Sequence, residues 1–519
     1  MPTETELKLA LHHAAVSRAA DIARHPAVMA VRHGRRRESH VVSTYYDTPD
    51  FALEKAGVSL RLRRDGARWL QTVKGPPLAG DGGALHARDE YEWRLPRAQL
   101  DPARLEQTPW RKLFGKAQKR GGLDALFATD VVRRTLPLAF PDGTTATLAI
   151  DVGTIRSKRI AARRVPVAEL EIEICTGTAL PAFALALALL DEWPLTVATA
   201  SKASRGYALV RGEPDGWCAP VHAGYVKFDR DGPAEAALRA IAQGCLRQIA
   251  ANAPGLLADD DPEWVHQMRI GTRRLRSCLS LIESIAGAER VRMLVTETRW
   301  LARILGTARD WDVLALETLA PLSTAFAHDS VAIAGLKRLS RNIGEHRSMA
   351  RKAAREAVRS PRFQRLLLSI GATCAGRAFG AENGAAMSTR AFANPLLSRR
   401  HLKLLQLGAA LEHGTIEERH AVRIAAKKLR YAAEFFSPPD PGKRNRAYLK
   451  ALSRLQDALG QWHDTVTATR LTAGLAGNSG HVTVGTVGGW SAAQAAVLEP
   501  EIARAWKRFT DVERFWVRG

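Results

Sequence analysis

Residues 4–8 read ETELK, a short polar stretch with the alternation of a β-strand. Successive side chains of a strand point to opposite faces, so Glu4, Glu6 and Lys8 share one face while Leu7 lies on the other. Two carboxylates one strand step apart repel each other unless a cation lies between them. The stretch is therefore either a solvated strand or one wall of a site that holds metal or phosphate.

The same alternation recurs in later segments that are rich in β-branched and aromatic residues. Gly, Pro and Asp turns separate such segments up to about residue 175, which predicts many short antiparallel strands and hence a barrel or closed sheet. Helices are expected over 14–31 and from Leu180 to about Trp193. Charged or polar residues share a strand face in SLRLRR (Arg61, Arg63), LQTVK (Thr72, Lys74), DEYEW (Glu90, Glu92) and AELEIEI (Glu169, Glu171, Glu173).

Two arrangements fit these charged faces. In the first, an apolar face packs under helices and the charged face meets water. In the second, the strands close into a barrel whose charged interior is self-compensating, because unpaired buried charge is very costly. Carboxylates of the first and last strands would then hold a hard divalent cation, and the basic side chains of the middle strands would hold phosphate oxygens. The pattern alone leaves both arrangements open.

The composition indicates more than one domain and a polyanionic partner. The chain has 519 residues, too many for one ordinary core, and 25% of them are charged. Lys and Arg number 76 against 53 Asp and Glu, a formal net charge of +23, and most of this excess follows residue 220. Such a surface attracts nucleic acid, polyphosphate or an anionic membrane.

Cysteine usage and hydropathy indicate a cytosolic protein. The five cysteines are far apart and form no CxxC pair, which argues against a disulfide framework or a zinc site. The N-terminus is acidic, unlike a secretory signal. The most apolar run, 179–190, is too short to cross a bilayer, so no membrane contact is expected.

From about residue 230 the periodicity becomes helical, with apolar residues every three to four positions. The Gly- and Pro-rich segment 212–224 is the expected linker between a domain at 1–211 and a second at 225–519. The Gly-rich segment 474–490 is predicted to be a loop that interrupts the helices.

The helical half contains an internal repeat. WVHQMRIGTRRLRS begins at Trp264 and RHAVRIAAKKLRYA at Arg419, and their histidines and basic residues coincide at one constant offset. Gly306 and Asp310 recur as Gly460 and Asp464 at that same offset. Two matches with identical spacing predict a duplicated helical unit.

Each repeat places a histidine and three basic residues along one helix face, where an apolar stripe normally lies. The first stripe is His266, Arg269, Arg273 and Arg276, and the second is His420, Arg423, Lys427 and Arg430. Arg274 and Lys428 neighbour these stripes. The stripes are either solvated basic faces or two walls of a groove that binds a multivalent anion.

Six motifs together resemble the CYTH domain of the triphosphate tunnel metalloenzymes. They are ETELK, YYDTPD (45–50), LRLR (60–63), TVK (72–74), ELEIEICTG (169–177) and SKASRGYAL (201–209). The patterns HxxRxxxRRLR and HxxRxxxKKLR resemble the histidine signatures of the α-helical CHAD domain. The order is similar to that of bacterial inorganic triphosphatases, in which CHAD follows CYTH.

The resemblance implies an α+β multidomain protein. An antiparallel β-barrel enclosing a triphosphate tunnel would precede an all-α domain of two pseudo-symmetric bundles. It implies hydrolysis of inorganic triphosphate to diphosphate and phosphate, with Mg²⁺ or Mn²⁺ bound by Glu4, Glu6, Glu90, Asp151, Glu171 and Glu173. Glu169 would be structural. Triphosphate would contact Lys8, Arg61, Arg63, Lys74, Arg133 and Lys202, and the catalytic set would be Glu4, Glu6, Lys8, Glu171 and Glu173.

For the helical half, the resemblance implies a basic channel for inorganic polyphosphate. Its walls would be the two stripes with Arg274 and Lys428. The histidines would be anion ligands or helix-positioning residues, since the sequence offers no nearby nucleophile or carboxylate pair. Whether this half feeds the tunnel or targets the protein to polyphosphate deposits stays open, as does the oligomeric state.

Three other functions compete with this one. The tunnel could act on an organic triphosphate, such as a nucleoside or thiamine triphosphate, or catalyse adenylate cyclisation. The protein could instead bind or target polyphosphate without turnover, although the acidic set argues against a pure anion binder. Nucleic acid is disfavoured, because aromatic residues are only 6% of the chain and no stacking motif, zinc finger or phosphate-binding Gly-rich loop occurs.

Overall fold

The computed structural model describes residues 3–78, 83–119, 121–160, 163–217, 219–376, 387–438, 441–475 and 480–517. The chain divides into two compact units. The first contains Met1–His222, Ala242–Met268 and Val358–Arg377, and the second contains Ala223–Ile241, Arg269–Ala357 and Ala378–Gly519. The domain boundaries expected at 211 and 224 stay predictions.

The first unit is built on one antiparallel sheet. Its strands are β1 Thr3–Leu11, β2 Arg37–Asp47, β3 Ser59–Asp65, β4 Arg68–Pro77, β5 Leu85–Leu95, β6 Asp124–Ala139, β7 Thr145–Ser157, β8 Arg164–Thr176 and β9 Leu195–Val197. The order is β5-β4-β3-β2-β6-β7-β8-β1-β9, and β5 also pairs with β1. This last pairing closes β1 to β8 into a barrel, which confirms the fold expected for the N-terminal half.

The register sends charged side chains inward and apolar ones outward. Lys8 lies opposite Glu171 in the β1–β8 pair, and Lys74 lies opposite Glu90 in the β4–β5 pair. The alternate residues pack outside the barrel, where Leu7 joins a buried cluster with the flanking helices. The two arrangements left open by the sequence are therefore combined, since the apolar face packs under helices and the charged face lines the interior.

Short helices cover the barrel. A 3₁₀ helix spans His13–Arg24, followed by α1 Pro26–Met29, α2 Ala52–Lys55, α3 Pro102–Glu106, α4 Arg111–Lys119, α5 Leu180–Leu190 and α6 Lys202–Arg211. The single helix predicted over 14–31 is wrong, because His25 is extended (ψ 136°) ahead of Pro26, and a residue that precedes proline avoids the helical region. Among the described helices, none is long and apolar enough to cross a bilayer.

The remaining elements after residue 230 are helices and one isolated β-bridge in the described residues. The helices are α7 Ala234–Ala258, α8 Pro262–Ala286, α9 Ala288–Val313, α10 Ala320–Ala325, α11 Ser330–Arg359, α12 Pro361–Ala375, α13 Thr389–Gly408, α14 Ala410–His413, α15 Ile416–Phe435, α16 Lys443–Ala473 and α17 His481–Thr510. A π-helical turn, Leu314–Leu319, joins α9 to α10. This confirms the predicted helical second half.

The repeat seen in the sequence extends to the order of the helices. The first histidine signature lies in α8 and the second in α15. The long helices that follow, α9 and α16, carry the matched Gly–Asp pairs. Each repeat is thus a signature helix followed by a long helix.

The loop predicted over 474–490 is wrong for most of its length, because α17 begins at His481. Thr483 and Val487 are buried on this helix, and Val487 packs in a cluster with Leu336 and Leu339. This burial outweighs the low helix propensity of Gly, Val and Thr. Residues 476–479 of the predicted loop lie outside the described residues.

Candidate active site

The barrel encloses a cavity of about 440 Å³ whose walls are charged. Every residue predicted from the sequence as a metal or triphosphate ligand of the barrel lines it, namely Glu4, Glu6, Lys8, Arg61, Arg63, Lys74, Glu90, Arg133, Asp151, Glu171, Glu173 and Lys202. The inward-facing side chains of several strands therefore line one cavity.

One part of this lining is compensated by its own cations. Asp151 has no exposed surface and accepts two hydrogen bonds from Arg133, 2.7 Å from Nε and 2.6 Å from Nη2. Lys202 Nζ lies 2.7 Å from Asp151 Oδ2 and 3.0 Å from Glu171 Oε1, and it also pairs with Glu169. We name Asp151, Glu169 and Glu171, with these two cations, the compensated cluster.

The pKa values in the compensated cluster follow from these pairs. Burial acts to raise the pKa of Asp151, but Lys202 and Arg133 lower it below its ordinary value. Burial likewise opposes the charged form of Lys202, yet the three carboxylates raise its pKa. Oxygens of Asp151, Glu169 and Glu171 lie within 4.8 Å of one another. A metal ion at this point would have to displace Lys202.

A second group of carboxylates has too few cations. Glu4, Glu6, Glu90 and Glu173 form this group, which we name the acidic wall. Lys74 pairs with Glu4 and lies 3.5 Å from Glu90, and Lys8 Nζ lies 2.9 Å from Glu6 and 3.3 Å from Glu171. Glu173 makes no ion pair with any described residue, and burial with the nearby Glu4 and Glu90 raises its pKa to about 6.

The acidic wall fits a hard divalent cation. Oxygen donors with a surplus of negative charge are what Mg²⁺ and Mn²⁺ prefer. The raised pKa of Glu173 records that surplus. Glu173 has no protein cation as partner in the described residues, whereas Glu4 and Glu6 each pair with one lysine. Asp151 and Glu171 are compensated more fully, because each contacts both Arg133 and Lys202. Glu4, Glu6 and Glu173 are therefore the better candidates for ligands.

The opposite side of the barrel has a surplus of positive charge. Arg61 and Arg63 lie on β3, Arg133 lies on β6, and we name them the arginine wall. Burial lowers the pKa of Arg63, and Arg61 and Arg133 lower it further, to about 10. The Nε atoms of Arg61 and Arg63 are buried without a hydrogen-bond partner. Their other nitrogens do have partners, since Arg61 pairs with Glu90 at 3.4 Å and Arg63 with Glu92 at 3.9 Å. The two unpaired Nε donors can still donate to an additional anion.

The two walls come from different strands of the barrel. The acidic wall comes from β8, β1 and β5, which are neighbours in the sheet. The arginine wall comes from β3 and β6, which flank β2 on the far side of the closed barrel. The walls meet where Arg61 Nη2 lies 3.4 Å from Glu90 Oε1. One cavity thus brings carboxylates and guanidinium groups to the same space.

A buried carboxylate explains the motif YYDTPD. Asp47 accepts hydrogen bonds from the amides of Thr48 at 2.7 Å, Leu53 at 2.8 Å and Glu54 at 2.9 Å. It also accepts one from the Tyr207 hydroxyl at 2.9 Å. Because Tyr207 belongs to α6, Asp47 anchors the helix that carries Lys202.

We expect Asp47→Ala to lower the free energy of unfolding by about 3 kcal/mol, because it leaves several buried donors without an acceptor. Urea unfolding followed by near-UV circular dichroism measures this. Asp21→Ala is the matched control, since Asp21 forms an exposed pair with Arg24, and its effect should stay within about 0.5 kcal/mol. Equal effects of the two substitutions would contradict the anchoring role.

In the helical half, the two predicted stripes lie close together. Burial lowers the pKa of Lys427, and Arg273, Arg423 and Arg269 lower it further, to about 5. Burial and Arg273 likewise lower the pKa of Arg423 to about 10. Direct contacts also join the two helices, since Arg274 of α8 pairs with Glu434 of α15 and the Arg273 guanidinium lies 6.0 Å from the Tyr431 ring centroid. We name Arg269, Arg273, Arg423 and Lys427 the basic groove.

Two donor atoms in the basic groove have no hydrogen-bond partner. Arg273 Nη2 and Arg423 Nε are buried without a hydrogen-bond partner. Asp310 lies 3.6 Å from Arg269, and Asp464 acts electrostatically on Arg423 and Lys427. These two carboxylates offset only part of the charge.

Other predicted helical residues are placed differently. Arg274 and Arg430 both pair with Glu434, and Lys428 is exposed. Arg276 lies near Arg273 and Arg299. His420 stacks edge-on against His463 with ring centroids 4.9 Å apart, and His266 is half-buried in α8. Of the ten predicted polyphosphate ligands, the structure thus gives Arg274 and Arg430 a carboxylate partner and leaves Lys428 exposed.

Two family models match the chain, the CYTH domain over residues 2–207 and the CHAD domain over residues 240–473. The crystal structure of the CHAD domain from the plant Ricinus communis is 33% identical in sequence. The match covers 57% of this chain and 98% of that chain, with a TM-score of 0.50. This chain belongs to the CHAD family, and a CYTH domain precedes its CHAD domain.

Relatives of known sequence match the chain over about a third of its length. The inorganic triphosphatase of Haemophilus influenzae is 31% identical over 171 residues, which are 32% of this chain and 45% of that protein. An uncharacterized protein of Mycobacterium tuberculosis (strain H37Rv) is 31% identical over 177 residues, 33% of each chain. The chain thus spans less than half the length of these relatives.

Sequence reasoning missed some residues of the CYTH cavity. Tyr45 and Arg88 also line it. Burial acts to raise the pKa of Tyr45, but the adjacent Arg61 lowers it below its usual value. Arg88 shares the strand face of Glu90, so the alternation in HARDEYEW contained its signal, while Tyr45 lies within a motif that was noted only as a whole.

Proposed function

We propose that the CYTH domain hydrolyses inorganic triphosphate to diphosphate and phosphate, with Mg²⁺ or Mn²⁺ as cofactor. The observation that carries this proposal is that the acidic wall and the arginine wall line one cavity of about 440 Å³. Phosphoanhydride hydrolysis needs a cation site beside an anion site. The match to a protein named inorganic triphosphatase supports the same substrate class.

The acidic residues of the cavity would bind the cation, and the arginines would bind phosphate. Glu4, Glu6 and Glu173 would hold the divalent cation, with Glu90 beside them. When bound, the cation neutralises charge on the phosphate oxygens and lowers the pKa of a water molecule. Arg61, Arg63 and Arg133 would bind phosphate oxygens, since guanidinium groups match them in a bidentate manner.

The lysines would orient the substrate between the walls. Lys8 and Lys74 belong to β1 and β4 and already contact carboxylates of the acidic wall. Lys202 would keep Asp151, Glu169 and Glu171 compensated and so hold Arg133 in place. Under this proposal Asp151 and Glu169 act through their cations, and Glu171 contacts both Lys8 and Arg133.

The relative rates of hydrolysis of different substrates distinguish this function from the alternative functions. We expect faster release of phosphate from inorganic triphosphate than from ATP, thiamine triphosphate or long-chain polyphosphate, because charged side chains make up most of the cavity lining and, of the described residues, only Val41, Tyr45, Val131 and Ala203 could contact an organic group. The four substrates are compared side by side with Mg²⁺ and with Mn²⁺. Preference for ATP or thiamine triphosphate would show an organic triphosphatase. No release from any substrate, with polyphosphate still bound, would leave a non-catalytic binding protein.

For the CHAD domain we propose binding of inorganic polyphosphate in the basic groove. Three guanidinium groups and one lysine amine on α8 and α15, with two guanidinium nitrogens that have no hydrogen-bond partner, match a chain of phosphates. His420 would extend the site along α15, and Arg276 would extend it along α8. Association with polyphosphate granules would follow from this binding.

We expect polyphosphate binding to take up protons at neutral pH. The pKa of Lys427 is lowered to about 5 in the free groove, so its amine is uncharged at pH 7, and a bound phosphate restores the charge. Calorimetry in buffers of different ionisation enthalpy measures the uptake. Lys427→Met should abolish it, whereas the matched Lys428→Met, at an exposed neighbour, should preserve it. Binding enthalpies that do not depend on the buffer would contradict this.

The same shift predicts how pH affects stability. Because Lys427 has a lower pKa in the folded state than the ordinary 10.5, the unfolded state binds more protons between about pH 5 and 10.5. Its contribution therefore makes the CHAD domain more stable as pH rises through that window.

We also propose that the protein acts in the cytosol and has no nucleic-acid partner. Cys175 is an exposed free thiol, as is usual in a reducing compartment. Competition between short polyphosphate and RNA at matched salt tests the partner. RNA that displaces polyphosphate at equal phosphate concentration would contradict the proposal.

A further inference from the structure

A second polar cavity, of about 320 Å³, lies in the second unit. It is enclosed by the π-helical turn, α16 and α17, and the proposed hydrolysis and polyphosphate binding do not use it. Its polar lining consists of Glu317, Thr318, Gln461, Asp464, Thr465, Ser491 and Gln494, with Trp490 and Leu498 beside them.

One hydroxyl in this cavity has no partner. Ser491 is 3% exposed, and its Oγ makes no hydrogen bond in the structure. Buried hydroxyl groups are almost always satisfied, because an unpaired one loses its hydration without compensation. A ligand in the cavity would provide the missing partner.

The backbone beside the cavity is also unusual. Leu314–Leu319 forms a π-helical turn, and such turns occur frequently at functional sites. This turn carries Glu317 into the cavity lining, where Arg309 Nη2 lies 2.7 Å from Glu317 Oε1.

The local charge favours a cation. Burial raises the pKa of Asp464, and the carboxylates of Glu317 and Asp310 raise it further. Arg423 and Lys427 act in the opposite direction but leave the pKa above its ordinary value. A positive group in the cavity would relieve this repulsion.

The arrangement fits an extended cation better than a bare metal ion. Within the part of the chain that the structure describes, three metal-ligating groups converge only at Asp151, Glu169 and Glu171, in the barrel. Glu317 and Asp464 therefore stand too far from a third ligand to close a metal site. The Trp490 ring and Leu498 suit methylene groups, and an ammonium group is also attracted to an indole face.

We propose that this cavity binds a linear oligoamine. One ammonium group pairs with Glu317 and a second with Asp464, and an N–H of the chain between them donates to Ser491 Oγ. The amide oxygens of Gln461 and Gln494 accept remaining protons, since each ammonium carries three donors. This site is independent of the proposed hydrolysis.

Calorimetric titration of the full chain with spermidine tests the proposal, at an ionic strength of about 0.15 M to screen exposed charges. We expect saturable binding at one site. Glu317→Gln and Ser491→Val should each weaken it at least tenfold, and Glu317 is 54% exposed, so its replacement leaves the fold intact. Glu289→Gln is the matched control, because it removes one exposed carboxylate that is also paired with an arginine.

Three results would overturn the proposal. The first is the absence of saturable binding to the unaltered chain. The second is equal affinity in Glu317→Gln, Ser491→Val and Glu289→Gln. The third is binding that persists in Glu317→Gln and disappears in Glu4→Gln, which would assign the amine to the acidic wall of the barrel. Far-UV circular dichroism confirms that each variant is folded.

Discussion

Replacing Glu4 with glutamine is expected to slow phosphate release from inorganic triphosphate by at least about a hundredfold, because loss of a metal ligand removes several kcal/mol of charge stabilisation. Glu4 is part of the acidic wall and influences both Lys74 and Glu173. Glutamine keeps the size of the side chain and one oxygen while removing the charge, so the substitution isolates the electrostatic contribution.

The measurement is a steady-state assay of phosphate release over a range of Mg²⁺ or Mn²⁺ concentrations. Higher metal concentration should restore part of the rate if Glu4 is a ligand. Glu38→Gln serves as the control, since Glu38 lies on β2 and pairs with Arg134 at the surface. A Glu4→Gln variant with the rate and metal dependence of the unaltered protein would remove Glu4 from the site.

The second large effect concerns stability. We expect Asp151→Ala to lower the free energy of unfolding by about 3–5 kcal/mol, because it leaves the buried charges of Arg133 and Lys202 short of a partner. Asp151 has no exposed surface and contacts both cations. Chemical unfolding of the barrel, followed by near-UV circular dichroism, measures the loss.

A surface pair provides the comparison. Asp130 lies on β6 and pairs with His40 at 2.6 Å and Arg156 at 2.5 Å, and Arg156 is 58% exposed. Asp130→Ala should cost less than about 1 kcal/mol, because exposed pairs contribute little. If both substitutions cost the same, the compensated cluster would not be the buried network described above.

Much of the barrel site could be predicted from alternation. Side chains of a strand alternate with a period of two. If one glutamate of ETELK faces the cavity, its neighbours two positions away face it as well, whatever the fold. This is why the ligands predicted from alternation line one cavity. Arg133, Asp151 and Lys202 line it too, but only the family resemblance implied them, and Lys202 lies on α6. The sequence could not show which carboxylate has a cation, because that depends on the order β8-β1-β5 and on the register between strands.

Glu169 and Glu173 illustrate this limit. Both belong to the same alternating run in AELEIEI, yet Glu169 pairs with Lys202 while Glu173 has no cation partner in the described residues. The difference arises from Lys202, which reaches β8 from α6, far along the chain. No local pattern contains that contact.

The helical half shows a different limit. The repeat predicted two similar stripes, but similarity does not imply contact, and only packing brings Arg273 close to Arg423 and Lys427. Packing also determines the secondary structure of the segment after His481, which is Gly-rich and yet forms a helix because Val487 is buried on it. Local propensity fails where long-range burial is stronger.

The most direct test of the account is a crystal structure of the protein with Mn²⁺ and a non-hydrolysable imido analogue of triphosphate. Anomalous scattering locates the metal independently of the phosphates. We predict Mn²⁺ on oxygens of Glu4, Glu6 and Glu173, and analogue oxygens on Arg61, Arg63 and Arg133. Mn²⁺ in place of Lys202 among Asp151, Glu169 and Glu171, or an analogue bound outside the barrel, would contradict the account.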